Sequence, residues 1–532
     1  MNRTLKKPPF LIAAGGLLII LSAPSSCLPA ALVIDTAAKF QTIEGFGGGF
    51  VFGTYPHGRP CKDELYDSLF NRAGINVVRI NNTYDPEKNN AVDEIPMLRE
   101  IRQKWPHVKV ILASWSPPAS LKSNGSKAGA KGGDTGTIVK KDGVFSYDAY
   151  ADYWLKSARH FQDSGASVDW ISIQNEPNFA PPYDGCVLLP IESDRYASYG
   201  KALGAVYAKI ATLPVPIPLI GPDLLGISDS LLQKYIASPD MHAEQLAAIC
   251  HHFYTGADSI SMHSLARSFP TTPLFQTEYL INEDATGQAW FDHAQLIQRA
   301  LTVEGVSMYD VFALTYRQHS THCLFSLDSA GGGGFATRPM YFAFKHFSKS
   351  IRRGWRRVGA LLDAPGITVS AFASPSGDSI ASVIVNGTTA AVAFSLSLPA
   401  SGDRQVAVFQ TNAAGPKKYA FEGTLSGSGP ITVEPRSIVT LETPRQAAGV
   451  RPAVNRPASH PSPRFIIAVT VRTGELYLSP RDHARFPCRM SVFDPSGRKT
   501  GSVSLPKGKG RGAAGFILKG SFASGVCFLR LE

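Results

Sequence analysis

VDWISIQNEPNF (168–179) runs from an apolar β-rich segment straight into Asn-Glu-Pro, and just upstream YDAYADYWLKSARHFQDSG (147–165) carries a helical stripe. Tyr150, Tyr153, Trp154, Ala158 and Phe161 recur there at helical spacing, and Gly165 supplies a C-terminal stop. The pairing of helix and apolar strand repeats along the chain. INVVRI (75–80), VKVILAS (108–114), PLIG (218–221), AAICHHFY (247–254), PLFQTE (273–278) and YDVFALTY (309–316) are further candidate strands, and a strand leading into GFGGGF (45–50) makes eight. Apolar strands alternating with helices indicate a parallel sheet covered on both faces. Eight of them predict an α/β fold, a (β/α)8 TIM barrel over residues 40–350. A doubly wound sheet is the alternative, but GFGGG lacks the GxGxxG spacing and no helical pattern opens on it, which argues against nucleotide binding.

Outside that span the texture changes. ITVSAFASPSGDSIASVIVNGTTAAVAFSLSLPA (367–400) alternates apolar and polar residues between turn residues, the pattern of an antiparallel sandwich. The reading assigns 351–443 to a side β-sandwich and adds to it the strand-like segment at 32–39. Residues 445–464, rich in Pro, Ala and Arg, read as a linker, and 465–532 as a small all-β module. The net charge of +11 belongs to this tail: from Arg445 onward there are 15 Lys and Arg against 4 Asp and Glu. The remaining body is neutral overall. With 44% apolar and 18% charged residues, the chain has the composition of a compact protein, long enough for two or three domains.

The N-terminus has the three parts of an export signal: Arg3, Lys6 and Lys7, then FLIAAGGLLIIL (10–21), then small residues and prolines. Residues 1–30 are read as a signal peptide, predicting a secreted or cell-surface protein. Cys27 invites a lipid anchor, but Pro24 stands where such signals carry Leu or Val, so plain secretion is the preferred reading. The seven cysteines include no CxxC pair, so neither a metal nor another cofactor is expected. Cys488 and Cys527 share the terminal segment; a disulfide between them and two free thiols are both open.

Two strand ends carry carboxylates. ISIQNEP places Asn175 and Glu176 at the C-terminal end of one strand, and PLFQTE ends in Glu278. In a β/α barrel that end holds the active site. Each acid alone is equally a surface-turn residue. Together they meet the need of retaining glycoside hydrolysis for one proton donor and one nucleophile, about 5–5.5 Å apart. ILASWSPPASLKSNG (111–125) ends a strand at Trp115, whose indole suits a sugar face or, alternatively, the barrel core.

These motifs in order resemble glycoside hydrolase family 30, a clan A family: GFGG near the start, SPP…LKSNG after the third strand and SIQNEP after the fourth. HHFYTG (251–256), TEY after the seventh strand, and FSKSIRRGWRRV (347–358) complete the set. The resemblance implies that Glu176 is the acid/base and Glu278 the nucleophile. It implies that Asn175 contacts the sugar 2-hydroxyl and that Trp115, His252 and Tyr254 line the subsite where the bond is cut; Tyr279, next to the nucleophile, either orients it or serves packing. PPYDGC (181–186) and QRALTVEGVSMYDVFALTYR (298–317) are similar to the xylanase branch, where an Arg past the eighth strand pairs with a glucuronate; Arg317 is the nearest candidate. Phe312-Ala313-Leu314 and the following loop depart from that branch, as do Ser120-Leu121 after SPP.

The implied activity is that of an endo-β-1,4-xylanase on xylan or glucuronoxylan, acting as a monomer. Alternatives are β-1,6-glucanase, β-1,6-galactanase, glucosylceramidase, or a non-catalytic carbohydrate-binding surface protein. The basic tail resembles small Ig-like secretion or sorting domains. It predicts contact with a cell surface or secretion machinery and, lacking interleaved aromatics around KGKGRG (507–512), no nucleic acid partner.

Overall fold

The computed structural model describes residues 30–84, 94–226, 229–255, 269–280, 288–328, 333–397, 405–413, 417–426 and 430–443, together with six strands between 466 and 531. The signal segment up to residue 29, Cys27, the linker and KGKGRG lie outside the described residues. So do Gly256 of HHFYTG and residues 281–282 of the TEYLIN stretch.

The first described element is a sandwich strand, β1 (Ala30–Thr42), after which the chain enters the barrel. The barrel strands are β2 (Gly45–Phe50), β3 (Val77–Asn81), β4 (Lys109–Ala113), β5 (Trp170–Ser172), β6 (Leu219–Gly226), β7 (Leu246–Thr255), β8 (Leu274–Glu278) and β9 (Met308–Val311). They pair in parallel and close, with β9 against β2. The fold is α/β, a (β/α)8 barrel with a side β-sandwich.

Two sequence readings need correction here. GFGGGF is not the loop after the first strand; it is that strand. Glycine is required because its neighbours approach too closely for side chains: a Cβ on Gly47 would meet the Val77 carbonyl, and one on Gly48 would lie 2.6 Å from the Val311 carbonyl oxygen. YDVFALTY is not one strand but two. β9 stops at Val311, and β10 (Ala313–Tyr316) pairs outside the barrel with β11 (Cys323–Leu327), itself paired with β12 (Phe335–Thr337).

The helix expected at 147–165 runs over Tyr147–Asp163, buries Tyr150, Tyr153, Trp154, Ala158 and Phe161, and ends before Gly165 at φ +69°. The Tyr150 hydroxyl donates to the Ile173 carbonyl at 2.6 Å, fixing the strand end that carries Asn175 and Glu176. Beside the barrel, β1 joins eight strands between Arg356 and Glu442 in one sheet, which closes on a core including Leu32, Ile34, Val358, Phe394, Val433 and Leu441. His346, on the helix Pro339–Ser348, ties barrel to sandwich through Thr440 and Thr411 at 2.7 and 2.8 Å; burial lowers its pKa to about 3.

The segment from Ala448 is a separate compact unit. Strands 466–471, 525–531, 488–493 and 499–505 form one antiparallel sheet, and 475–478 pairs with 516–519. Phe493 lies opposite Phe528. Cys527 is therefore one residue past that pairing and Cys488 five residues before it, about 20 Å apart along the strands and too far for a disulfide.

Candidate active site

The turn after β5 gathers the first carboxylate. Glu176 takes φ +46°, a left-handed conformation that is strained for a residue preceding proline. The strain is held from both sides: the Glu176 amide donates to the Asp223 carbonyl at 3.0 Å, and the Asn175 amide to the Ser114 carbonyl at 2.8 Å. The Gln174 side-chain amide donates to the Trp115 carbonyl at 2.8 Å, locking this turn to the SPP loop. Lys122 of LKSNG is buried, and its ammonium is met by the carbonyls of Ala128 (3.1 Å) and Gly185. That clamp holds the SPP loop against the PPYDGC loop.

Glu278 ends β8, and the strand register brings it beside His252 of β7. One carboxylate oxygen of Glu176, one of Glu278 and a ring nitrogen of His252 all lie within 4.8 Å of one another. Arg79 Nη1 donates to Glu278 Oε2 at 2.6 Å, and the Tyr254 hydroxyl to Glu278 Oε1 at 2.8 Å. Burial raises the Glu278 pKa and the nearby Glu176 adds to the rise, while His252 and Arg79 pull it down.

Beneath the carboxylates lies a buried ionic network. Arg79, 1% exposed, also donates from Nη2 to Asn175 Oδ1 at 2.6 Å and to Asp223 Oδ2 at 2.8 Å. Asp223 further accepts from Ser172 (2.8 Å) and from Thr277, and its pKa falls well below the usual range: burial opposes the charge, but Arg79 and His252 outweigh it. His252 Nδ1 lies 2.9 Å from Glu176 Oε1 and Nε2 lies 3.3 Å from Asp223 Oδ1. Burial disfavours the imidazolium, yet Glu278 and Asp223 push its pKa up to about 9.

Glu176, His252 and Glu278 are thus grouped as metal ligands would be. An imidazole protonated at neutral pH has no lone pair to offer, however, and this trio is better suited to holding a proton than an ion.

Above the network opens a cleft of about 570 Å³, lined by Glu176 and Glu278 with Trp115, Tyr254, Phe312, Tyr316, Arg317 and others. Trp115 is buried on one side, under the Arg79 guanidinium at 4.6 Å, and reaches the cleft on the other. Asn175 has its oxygen engaged by Arg79, which leaves its NH2 end to donate. Arg317 lies at the rim over the Tyr316 ring, 5.5 Å from its centroid. Tyr279 lies tilted against Tyr254 at 5.7 Å and packs on Phe253 and His293.

His252 stands apart from the expected set. It is 0% exposed and enclosed between Glu176 and Asp223 rather than facing the cleft. The β7–β8 register shifts between His251 and His252, so that His252 pairs with Glu278 with Thr277 as the extra residue on β8.

Sequence reasoning missed Arg79 and Asp223, although each is a charge near the end of an apolar run, INVVRI and PLIGPD, which was the available signal. It also missed Phe52 and Tyr183, which line the cleft at 38% and 56% exposure from loops without periodicity.

A closed parallel barrel with a side sandwich and two strand-end carboxylates is the architecture of the barrel glycoside hydrolases. No family model matches the chain. Among curated proteins, a putative glucosylceramidase of Caenorhabditis elegans is 25% identical over 174 residues, covering 27% of this chain and 32% of that one. An endo-1,6-β-D-glucanase of Neurospora crassa is 26% identical over 181 residues, covering 27% and 36%. The match therefore spans about a third of the length of these two relatives. A glucuronoxylanase of Bacillus subtilis is 22% identical over 362 residues, covering 67% of this chain and 78% of that one. Among solved structures, a family 30 subfamily 8 xylanase from Clostridium acetobutylicum superposes with a TM-score of 0.64 at 23% identity, over 78% of this chain and 99% of the other. The fold is that of glycoside hydrolase family 30, and the resemblance read from the motifs stands.

Proposed function

We propose that the protein is a secreted, retaining family 30 glycosidase, an endo-β-1,4-xylanase acting on glucuronoxylan. The observation that carries this reading is the close approach of Glu176 and Glu278 at the strands' C-terminal ends, with oxygens within 4.8 Å. That spacing suits direct attack by one carboxylate and leaves no room for the water an inverting enzyme places between them.

In the first step Glu176 gives its proton to the glycosidic oxygen as the C1–O bond breaks, and Glu278 forms an ester to C1. The released chain leaves with that proton. In the second step Glu176 takes a proton from water, whose oxygen attacks C1 and frees Glu278. The His252 contact occupies Glu176 Oε1, leaving Oε2 to carry the proton. With Glu176 protonated, Arg79 and His252 balance Asp223 and Glu278; in the ester intermediate they balance Asp223 and Glu176. The buried cluster is neutral in both half-reactions, so neither step leaves an uncompensated charge in a low-dielectric site.

The xylan assignment is supported by the PPYDGC loop, by the glucuronoxylanase and xylanase among the similar proteins, and by Arg317 at the rim with no carboxylate partner among the described residues. The split at Phe312 and the departure of the following loop favour, as a second reading, another β-linkage such as the β-1,6-glucan of the Neurospora relative. The basic tail is assigned to attachment at an anionic cell surface or to the secretion machinery.

The test is Glu278→Ala. Turnover of glucuronoxylan falls by at least about 10³-fold, and azide or formate restores it with inverted product. Turnover like that of the unmodified enzyme contradicts the assignment.

A further inference from the structure

At the other end of the barrel, where it meets the sandwich, lies a second groove of about 520 Å³, lined by Phe40, Gln41, Thr271, Thr272, Arg356 and Arg357 among others. Leu274 also lines it, while Glu278 closes the opposite end of the same strand, about 13 Å along β8. The groove is therefore distinct from the catalytic cleft.

Its charges do not balance. Glu44, the acid in the lining, is taken by Arg353 Nη2 at 2.7 Å. Arg356 donates from Nη2 to the Phe40 carbonyl at 3.0 Å, and Arg357 donates from Nε to Gln41 Oε1 at 2.9 Å. Neither guanidinium has a carboxylate partner among the described residues. Arg357 is the more telling of the two: it is largely enclosed, its guanidinium carbon lies 3.7 Å from the Phe40 ring centroid, and burial alone lowers its pKa to about 10. A desolvated cation without an anion is unfavourable unless a ligand supplies the charge.

Hydrogen bonds set the surroundings. Gln41 is fixed by its own donations to the Leu301 and Val306 carbonyls at 2.7 and 3.1 Å, so its oxygen is held toward Arg357. Phe40 remains 43% exposed. Two guanidiniums, two threonines and an exposed ring form a donor-rich wall beside an apolar face, with Gln41 holding Arg357 in place, the chemistry that recognises an acidic sugar.

We propose that this groove is a second saccharide site that takes a uronic acid on the polysaccharide, with Arg356 and Arg357 pairing with its carboxylate and Phe40 covering a C–H face of the ring. Such a site tethers the enzyme to substituted chain while the cleft works elsewhere on it. Only the choice of xylan as carrier rests on the function proposed above.

The experiment is affinity electrophoresis of the full chain carrying Glu278→Gln, in gels containing glucuronoxylan or xylan freed of uronate. Retardation in glucuronoxylan is expected to weaken about tenfold with Arg356→Glu, and similarly with the shape-conserving Arg357→Met, with little change in unsubstituted xylan. In the otherwise native enzyme, Arg356→Glu leaves cleavage of short unbranched xylo-oligosaccharides within about twofold of normal, since it does not reach the cleft.

Absence of uronate-dependent retardation in the parent, or retardation unchanged in both variants, overturns the proposal. Stronger displacement by double-stranded DNA than by polygalacturonate overturns the choice of ligand. If the native enzyme cleaves no xylan yet its retardation by uronate polymers depends on Arg356, the xylanase reading fails and this site stands.

Discussion

Below the cleft, Arg79, Asp223 and His252 are shut from solvent and joined to both carboxylates by contacts of 2.6–3.3 Å. Above it, Phe52, Tyr183, Phe312 and Arg317 stand partly in solvent, with contacts such as Phe52 against Phe312 at 6.4 Å and Arg317 over the Tyr316 ring at 5.5 Å in place of ion pairs. A floor of mutually dependent charges tolerates little change, because removing any member leaves another charge buried and unpaired. The rim carries no such constraint. One set of residues therefore fixes the reaction while the other is free to fix the substrate.

The comparison is sharpest at Arg79. Replacing it with Ala leaves Asp223 and Glu278 with only the His252 imidazolium between them, one buried negative charge uncompensated, and about 3–5 kcal/mol of stability should be lost in denaturant unfolding. Activity should fall by at least about 10²-fold. Loss of activity with unchanged stability breaks the claim that the floor acts as one unit.

A smaller effect is expected at His252. Its folded pKa of about 9 lies above the ordinary 6.5. The stability it contributes is therefore complete below pH 6.5 and is lost as pH rises through 9. Melting temperature should fall between pH 7 and 10, and His252→Gln should flatten that fall. The same variant should change the shape of the pH–rate profile, whereas a merely structural residue would lower activity equally at every pH.

Smallest is the rim. Arg317→Ala should lower kcat/KM on glucuronoxylan about tenfold and on unsubstituted xylan by less than about twofold. Equal losses on both would show that Arg317 does not read a branch.

The same division governs what the sequence makes legible. Glu176 and Glu278 can be found because each ends an apolar strand, and parallel strands converge their ends at one face of a barrel. The depth of His252 is hidden, because its partners Glu176 and Asp223 come from two other strand ends that no local pattern connects to it. GFGGGF deceives by composition: glycine normally marks a loop, and only the approach of the Val77 and Val311 carbonyls makes it necessary in a strand. Phe52 and Tyr183 sit on loops whose course is set by distant contacts, including the Lys122 clamp on Gly185. Arg317 was located in sequence, but its setting depends on the break at Phe312, where the chain leaves the barrel to form β10.

The central claim is that Glu176 and Glu278 act as acid/base and nucleophile across a short gap. Proton NMR of the first product released from xylan tests it most directly, before the reducing end equilibrates. The β-anomer should appear first, with the α-anomer growing only at the rate of spontaneous mutarotation. Initial release of the α-anomer would contradict the account, since it requires water, not Glu278, to have attacked the anomeric carbon.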